Sequence, residues 1–177
     1  MSARRRLTLL LSALGMIAGL ALVSAPAAAA APASAPSDDA SAAAVFYHWR
    51  NYSSGKCLAV PNANNGTRAV QTTCTSSSYH YWAFIYTGPE SDYFWIQNLA
   101  SGRCLVVQGG ANEAPAQQQT CSDRYADQFW QVHSSGSQGL MLKNYNSGKC
   151  LLVRGGANNA AAVQYTCTAR FEDQWWY

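Results

Sequence analysis

Ser147-Gly-Lys-Cys-Leu-Leu-Val153, then Gln164-Tyr-Thr-Cys167, then Asp173-Gln-Trp-Trp176 is the stretch of sequence that decides the fold. Closely similar stretches begin at Ser101 and at Ser54. The six cysteines fall as three pairs, each 17 positions apart, and successive pairs begin 47 and 46 positions apart. Similarity at a fixed period indicates an architecture built from one repeated unit. We therefore predict three repeats, over about residues 45–90, 91–136 and 137–177.

An asparagine and a tryptophan recur with the cysteines in every repeat. The asparagines are Asn51, Asn98 and Asn144, and the tryptophans are Trp82, Trp130 and Trp176, the first of which needs a one-residue deletion to align. A tryptophan at one structural position in each repeat is expected to bury a large area in a shared core. We predict core positions for these three tryptophans in preference to sugar-stacking positions.

The equal cysteine spacing predicts disulfides inside each repeat. Six cysteines allow fifteen pairings, but pairing within repeats uses one local geometry three times: Cys57–Cys74, Cys104–Cys121 and Cys150–Cys167. Structural zinc sites usually contain cysteines two to four residues apart, and this chain has no such pair. We predict disulfides, and neither a metal nor another cofactor.

The local pattern within a repeat is typical of strands and turns. Short apolar runs such as Phe94–Asn98 are followed by Ser-Gly, which ends a strand. No window between residues 45 and 177 has convincing helical spacing. Four runs per repeat predict twelve strands and an all-β fold.

The first 44 residues have a different composition. Arg4, Arg5 and Arg6 precede a mostly apolar stretch at 7–23 and an Ala/Pro segment with small-residue cleavage sites, which is typical of a signal peptide over 1–31. A transmembrane anchor needs about 20 apolar residues, and this stretch is shorter. Residues 32–44 lack bulky side chains and are predicted to be a disordered linker. We predict a secreted, extracellular protein with no membrane association after signal removal.

Charge and motifs exclude several classes of function. From residue 31 onward there are nine Lys or Arg and nine Asp or Glu, so the chain lacks the basic surface that nucleic acid binding requires. His48, His80 and His133 occupy non-equivalent places and have no clustered carboxylates. No paired-carboxylate or nucleophile motif is present. We predict no catalytic residues and no enzymatic activity.

The recurring Ser-Gly-Lys/Arg-Cys-Leu-x-Val and Gln-x-Thr-Cys motifs, with Asp-Gln-x-Trp in the last two copies, resemble the ricin B-type lectin domain over all of residues 45–177. The resemblance implies a β-trefoil with pseudo-threefold symmetry and binding of carbohydrate. Gln128 and Gln174 match the family's Gln-x-Trp signature, whereas repeat one has His80 in place of the glutamine.

The resemblance also implies where sugar would bind. The family's sugar-binding aspartate lies two residues after the first cysteine, and here the residues are Ala59, Val106 and Leu152. Because side chains alternate along a strand, we expect these three to point to solvent, opposite the core-facing Leu and Val. The acceptor is therefore missing from all three pockets.

Replacement groups single out repeat three. Asp127 and Asp173 stand where the family usually has asparagine, and Tyr165 stands at the family's stacking aromatic position. We predict the best pocket from Tyr165, Asp173 and Gln174, with donors from Arg154 and Asn158, and a weaker pocket from Asp127 and Gln128. The alternative is that Asp173 caps a turn and Tyr165 packs against a loop.

Two functions follow. The first is a secreted, non-catalytic carbohydrate-binding module whose best pocket is in repeat three. The second is a trefoil that has lost sugar binding and binds a protein, for example as an inhibitor of a secreted hydrolase. It is motivated by the apolar residues Ala59, Val106 and Leu152 on the expected outer surface.

Overall fold

The computed structural model describes residues 44–88 and 91–177, which contain twelve strands and three 3₁₀ turns. The signal peptide predicted at 1–31, and the linker predicted at 32–44 apart from Ala44, lie outside the described residues. Within these two ranges, no helix is long and apolar enough to cross a membrane. The same ranges contain no group of three or more His, Cys, Asp or Glu side chains placed to hold a metal ion.

Each repeat contributes four strands, as predicted from the sequence. Repeat one contains β1 (Tyr47–His48), β2 (Cys57–Ala59), β3 (Val70–Thr72) and β4 (Tyr81–Tyr86). Repeat two contains β5 (Phe94–Asn98), β6 (Cys104–Val107), β7 (Ala116–Gln119) and β8 (Trp130–Gly136). Repeat three contains β9 (Gly139–Asn144), β10 (Cys150–Val153), β11 (Ala160–Tyr165) and β12 (Trp175–Trp176). The 3₁₀ turns are Ser78–His80, Ala126–Gln128 and Glu172–Gln174, each directly before or one residue before the last strand of its repeat.

Six of the strands close into a barrel. The antiparallel pairs run β1 with β4, β4 with β5, β5 with β8, β8 with β9, and β9 with β12. Arg50 and Tyr177 then exchange backbone hydrogen bonds of 2.8 and 2.9 Å, which join the end of the chain to the segment after β1. Closure removes the free strand edges that an open sheet would expose.

The other six strands form three hairpins that cap the barrel. They pair as β2 with β3, β6 with β7, and β10 with β11. The hairpins also meet each other around the axis, at Ala160 and Gln71, at Arg68 and Gln117, and at Pro115 and Val163. A six-stranded barrel capped by three related hairpins is a β-trefoil, so the predicted fold is confirmed.

The core lies on the pseudo-threefold axis. Trp82, Trp130 and Trp176 are fully buried, and each indole Nε1–H donates to a leucine carbonyl in the first strand of its own hairpin. These bonds to Leu58, Leu105 and Leu151 measure 2.9, 2.9 and 3.1 Å. Burial at this depth leaves the three rings no face for a ligand.

Covalent and polar bonds repeat with the same symmetry. The disulfides are Cys57–Cys74, Cys104–Cys121 and Cys150–Cys167, as predicted. The side-chain amides of three buried glutamines donate to backbone carbonyls of a different repeat: Gln71 to Gly155 and Ala157, Gln118 to Asn62 and Asn64, and Gln164 to Gly109 and Ala111. Each repeat therefore donates to one neighbour and accepts from the other.

One expectation from strand alternation is wrong. Ala59, Val106 and Leu152 do not point to solvent, and their exposed fractions are only 2%, 1% and 0%. The 3₁₀ turn of each repeat packs against the first strand of the hairpin, so that strand is covered on both faces. Alternation describes a half-buried strand, and these strands are buried on both sides.

Candidate functional site

The predicted site residues gather where each hairpin meets its 3₁₀ turn. In repeat two, Asp127 lies on the turn and Gln119 ends the second hairpin strand. In repeat three, Asp173 and Tyr165 occupy the same two places. Side-chain hydrogen bonds anchor both turns: Nδ2 of Asn144, at the end of β9, donates to the Asp127 carbonyl, and Nδ2 of Asn51, three residues after β1, donates to the Asp173 carbonyl, both at 2.7 Å. The carboxylates are thus fixed at equivalent positions.

Repeat two has an open cavity at this place. Its volume is 340 Å³, and it is lined by Val106, Gln108, Gln119, Thr120, Tyr125, Asp127 and Gln128. Tyr125 is 59% exposed. A cavity of this size lined by a carboxylate, three side-chain amides and an aromatic ring is suited to a small polar ligand such as a sugar ring.

The carboxylate in this cavity is only partly hydrogen-bonded, as is that of Asp173 in repeat three. Oδ1 of Asp127 is buried and has no hydrogen-bond partner among the described residues. Burial raises the pKa of Asp127, and the hydrogen bond from its own backbone N–H opposes this effect only in part. A desolvated carboxylate with unused acceptor capacity gains from ligand hydroxyl groups.

Gln128 and Gln174 brace the turns, and their functional groups are already occupied. Oε1 of Gln128 accepts from the Ser122 backbone N–H at 2.8 Å, and its amide donates to the Thr120 carbonyl at 3.0 Å. Gln174 makes the same two bonds with Thr168 and Thr166, at 2.8 and 2.9 Å. Both side chains are buried. The geometry gives them the role of holding Asp127 and Asp173 in place.

In repeat three the structure brings Tyr165, Arg154 and Asp173 together. Nη1 of Arg154 lies 3.0 Å from Oδ2 of Asp173, and its guanidinium carbon lies 4.7 Å from the Tyr165 ring centroid. Burial alone would lower the pKa of Arg154, but the hydrogen bonds and charges of Glu113 and Asp173 outweigh it and raise that pKa. Arg154 therefore stays charged and is held by its partners.

Three further residues of these pockets escaped the sequence prediction. Tyr125 and Phe171 both stand five residues before the core tryptophan, so the alignment of repeats two and three contained a signal for an aromatic there. Glu113 reaches Arg154 from repeat two, at 3.1 Å between Nη2 and Oε1. It has a positive φ of 65°, at a place where repeat one has Gly66. No feature of the sequence indicated its partner.

Asn158 lies elsewhere, which corrects its assignment to the pocket of repeat three. Its Oδ1 accepts from the Thr73 backbone N–H at 3.0 Å, in repeat one. Asn65 with Thr120 and Asn112 with Thr166 make the same contact, at 2.8 and 3.1 Å. The loop after the first hairpin strand crosses to a neighbouring repeat, so Asn158 joins two repeats and does not face Tyr165.

Repeat one departs most from this arrangement. Nδ1 of His80 accepts from the Thr75 backbone N–H at 3.1 Å, which replaces one of the two bonds that Gln128 and Gln174 make. Burial lowers the pKa of His80, and so does His48, whose ring centroid is 6.4 Å away. Pro61 and Thr72 stand where repeat three has Arg154 and Tyr165. Tyr79 stands at the position of Asp127 and Asp173, so this repeat lacks the carboxylate that the other two have there.

Comparison with known protein families gives one family over nearly all of the described region. A family model described as the ricin-type beta-trefoil lectin domain matches residues 45–176. None of the curated proteins matches the chain. Among solved structures, the designed threefold-symmetric protein ThreeFoil is 25% identical, with a TM-score of 0.69, over 74% of this chain and 95% of that one.

Two natural structures are also similar. An exo-β-1,3-galactanase from Clostridium thermocellum is 26% identical, with a TM-score of 0.68, over 74% of this chain and 29% of the galactanase. The Rhizoctonia solani agglutinin is 19% identical, with a TM-score of 0.66, over 75% of this chain and 92% of the agglutinin, a likeness that shows the fold alone. The family match, the trefoil and the three disulfide-closed repeats agree, and this chain belongs to the ricin-type β-trefoil lectin domain family.

Proposed function

We propose that this chain is a secreted carbohydrate-binding module without catalytic activity, and that repeat two supplies its principal site. The lectin-domain match supports the general function. The observation that carries the choice of site is the open cavity of repeat two, which is lined by Asp127 and the exposed Tyr125, and in which Asp127, unlike Asp173, has no ion pair among the described residues.

The chemistry of this cavity fits a neutral sugar. Sugar hydroxyls donate to a carboxylate, and a hydrogen bond to a charged group contributes about 1.5–3 kcal/mol. Gln108 and Gln119 line the same cavity, and each side-chain amide can both donate and accept. The Tyr125 face adds apolar contact with the C–H face of a sugar ring. Asp127 thus supplies the acceptor that Val106 lacks.

Repeat three, which the sequence predicted as the best pocket, is the second candidate. Its support is the cluster of Tyr165, Asp173 and Arg154 around one spot. In this structure Asp173 and Arg154 are paired with each other, so a sugar would have to compete for both. We therefore rank this pocket below that of repeat two.

The protein-binding alternative loses the observation that motivated it. Ala59, Val106 and Leu152 are buried and present no apolar surface to a partner. Secretion is supported by the predicted signal peptide and by three disulfides, which persist in oxidising compartments.

A glycan array and pull-downs on insoluble polysaccharides, including a β-1,3-galactan, test the proposal. We expect the folded chain to be retained by at least one glycan and Asp127→Ala to weaken that binding at least about tenfold. Asp123→Ala, which removes an exposed carboxylate from the same loop, is the matched control and should bind normally. Tyr165→Ala tests repeat three. If it abolishes binding while Asp127→Ala does not, repeat three is the site, and if no glycan is retained the function is wrong.

A further inference from the structure

The three repeats differ at one pocket position, four residues after the first cysteine. Pro61, Gln108 and Arg154 occupy it in repeats one, two and three. Gln108 lines the open cavity of repeat two. Arg154 instead reaches across the corresponding place in repeat three and contacts groups on three segments of the chain.

The contacts of Arg154 satisfy most of its guanidinium. Nη1 donates to Asp173 at 3.0 Å, while Nε and Nη2 donate to Oε1 of Glu113 at 3.3 and 3.1 Å. The guanidinium carbon lies 4.7 Å from the Tyr165 centroid and 5.5 Å from the Phe171 centroid. A cation within about 6 Å of a ring centroid interacts with the ring face.

These contacts use the same groups that would bind a sugar. One oxygen of the Asp173 carboxylate, Oδ2, is paired with Nη1, and the guanidinium lies over the Tyr165 ring. The other oxygen, Oδ1, is buried and, like Oδ1 of Asp127, has no hydrogen-bond partner among the described residues. At the pocket of repeat two, Gly66 of repeat one stands at the position equivalent to Glu113, and Gln108 at that of Arg154. The Asp127 carboxylate therefore has no ion pair within residues 44–88 and 91–177. These two residue differences explain why the pocket of repeat two is open and the pocket of repeat three is covered.

We propose that Arg154 is a latch that closes the pocket of repeat three, so that this repeat binds a neutral sugar only after the guanidinium leaves Asp173 and Tyr165. The proposal rests on the proposed function, because it deepens the assignment of sugar binding to these pockets. Anionic sugars are excluded, because Asp173 and Glu113 remain as two carboxylates when the guanidinium moves away.

The latch is reversible, because its ion pairs are partly in water. The side chains of Arg154 and Glu113 are 43% and 51% exposed, and that of Asp173 is 16% exposed. Ion pairs at such exposure are weak and are screened by salt. A pocket that is open for only part of the time binds with an affinity reduced by that fraction.

The first arm of the test needs no sugar. Photochemically induced nuclear polarisation reports how accessible each tyrosine ring is to a dye in solution. We expect the Tyr165 signal to be weak in the unmodified chain and to rise severalfold in Arg154→Gln and in high salt. Arg170→Gln removes an exposed arginine from the same repeat and should leave the signal unchanged. Equal Tyr165 signals in the unmodified chain and Arg154→Gln would overturn the latch.

The second arm measures sugar binding in an Asp127→Ala background, where repeat two is disabled. The probes are the neutral sugars galactose, N-acetylgalactosamine, mannose and xylose, detected by saturation-transfer NMR. We expect adding Arg154→Gln to strengthen binding at least about fivefold. Weaker binding would instead make Arg154 a sugar donor and overturn the latch. If no Arg154→Gln variant in this background binds a probe although the chain with Asp127 intact does, the latch is overturned and the proposed function stands. If the chain with Asp127 intact binds none of the glycans either, the proposed function fails.

Discussion

Asp127 and Asp173 lie three residues before the core tryptophans of successive repeats, but only Asp173 is paired with a cation. Its Oδ2 accepts from Arg154 at 3.0 Å, whereas no ion pair of Asp127 occurs among the described residues. The same backbone geometry thus presents a carboxylate to a cavity in one repeat and to a guanidinium in the next. The carboxylate of Asp127 is therefore free to bind a ligand and that of Asp173 is not, although the two repeats have the same fold.

Sugar binding by repeat two should depend on pH. Because burial raises the pKa of Asp127 above the ordinary value of 3.8, protonation removes its acceptor at a higher pH than for an exposed aspartate. We expect the affinity measured by calorimetry to fall as the pH decreases from 7 toward 4. Asp127→Asn is the control, since the family usually has asparagine here, and it should bind with little pH dependence. The same pH dependence in Asp127→Asn would contradict the assignment.

The raised pKa also predicts the stability of that variant. A carboxyl group whose pKa is higher in the folded state binds protons more tightly there, so ionised Asp127 makes the folded state less stable at neutral pH than at acid pH. Asp127→Asn should therefore be at least as stable as the unmodified chain in urea unfolding at pH 7. A clear loss of stability would show that the ionised carboxylate has a structural role.

Tyr125 should contribute to binding through its ring face. We expect Tyr125→Ala to weaken sugar binding roughly two- to thirteenfold, which corresponds to about 0.5–1.5 kcal/mol for an aromatic contact. Tyr125→Phe keeps the ring and should retain most of the affinity. Calorimetric titration of both variants distinguishes the two kinds of contact. If the phenol binds the sugar by a hydrogen bond and not by stacking, Tyr125→Phe will weaken binding as much as Tyr125→Ala.

His80 should make the fold sensitive to acid. Burial and His48 hold its pKa below the ordinary value of 6.5, so the unfolded chain binds the proton more tightly and stability falls as the pH drops below that value. His80→Gln should remove this part of the pH dependence. It should also add about 0.5–1.5 kcal/mol at pH 7.5, because the amide gains the bond to the Thr73 carbonyl that Gln128 and Gln174 make to Thr120 and Thr166. Urea unfolding at pH 7.5 and pH 5 measures both effects.

The three disulfides should stabilise the fold about equally. Each closes a loop of the same length, with a sequence separation of 17, which is worth roughly 3 kcal/mol in the chain-entropy model. Replacing Cys104 and Cys121 together by alanine should therefore cost about as much as replacing either other pair. Unfolding free energies that differ by more than about 2 kcal/mol among the three double variants would show that local packing outweighs loop closure.

The fold could be predicted from the sequence because its determinants are local. Each disulfide, each Ser-Gly turn and each core tryptophan belongs to one repeat. The spacing of Cys57 and Cys74 therefore predicts their disulfide, and the same spacing predicts the other two. The second and third repeats follow from the same local pattern as the first. Agreement among the three copies made the pattern unmistakable.

The site could be predicted only in part, because its contacts cross between repeats. Tyr165, Arg154 and Asp173 belong to one repeat and do lie together, but Glu113 comes from another repeat and Asn158 faces a third. The burial of Leu152 also depends on a segment some twenty residues later that covers its strand. Alignment of one repeat on another shows equivalent positions, not which repeat supplies the neighbour.

The glutamine contacts between repeats form a closed ring. Gln71 depends on repeat three, Gln118 on repeat one and Gln164 on repeat two. In a linear array of repeats the end units fray and whole units can be added or lost, whereas a ring of three has no end unit. Deleting one repeat would leave an unpaired glutamine donor in one remaining repeat and unpaired backbone carbonyls in the other. The residues of each pocket can therefore vary, whereas the number of repeats cannot.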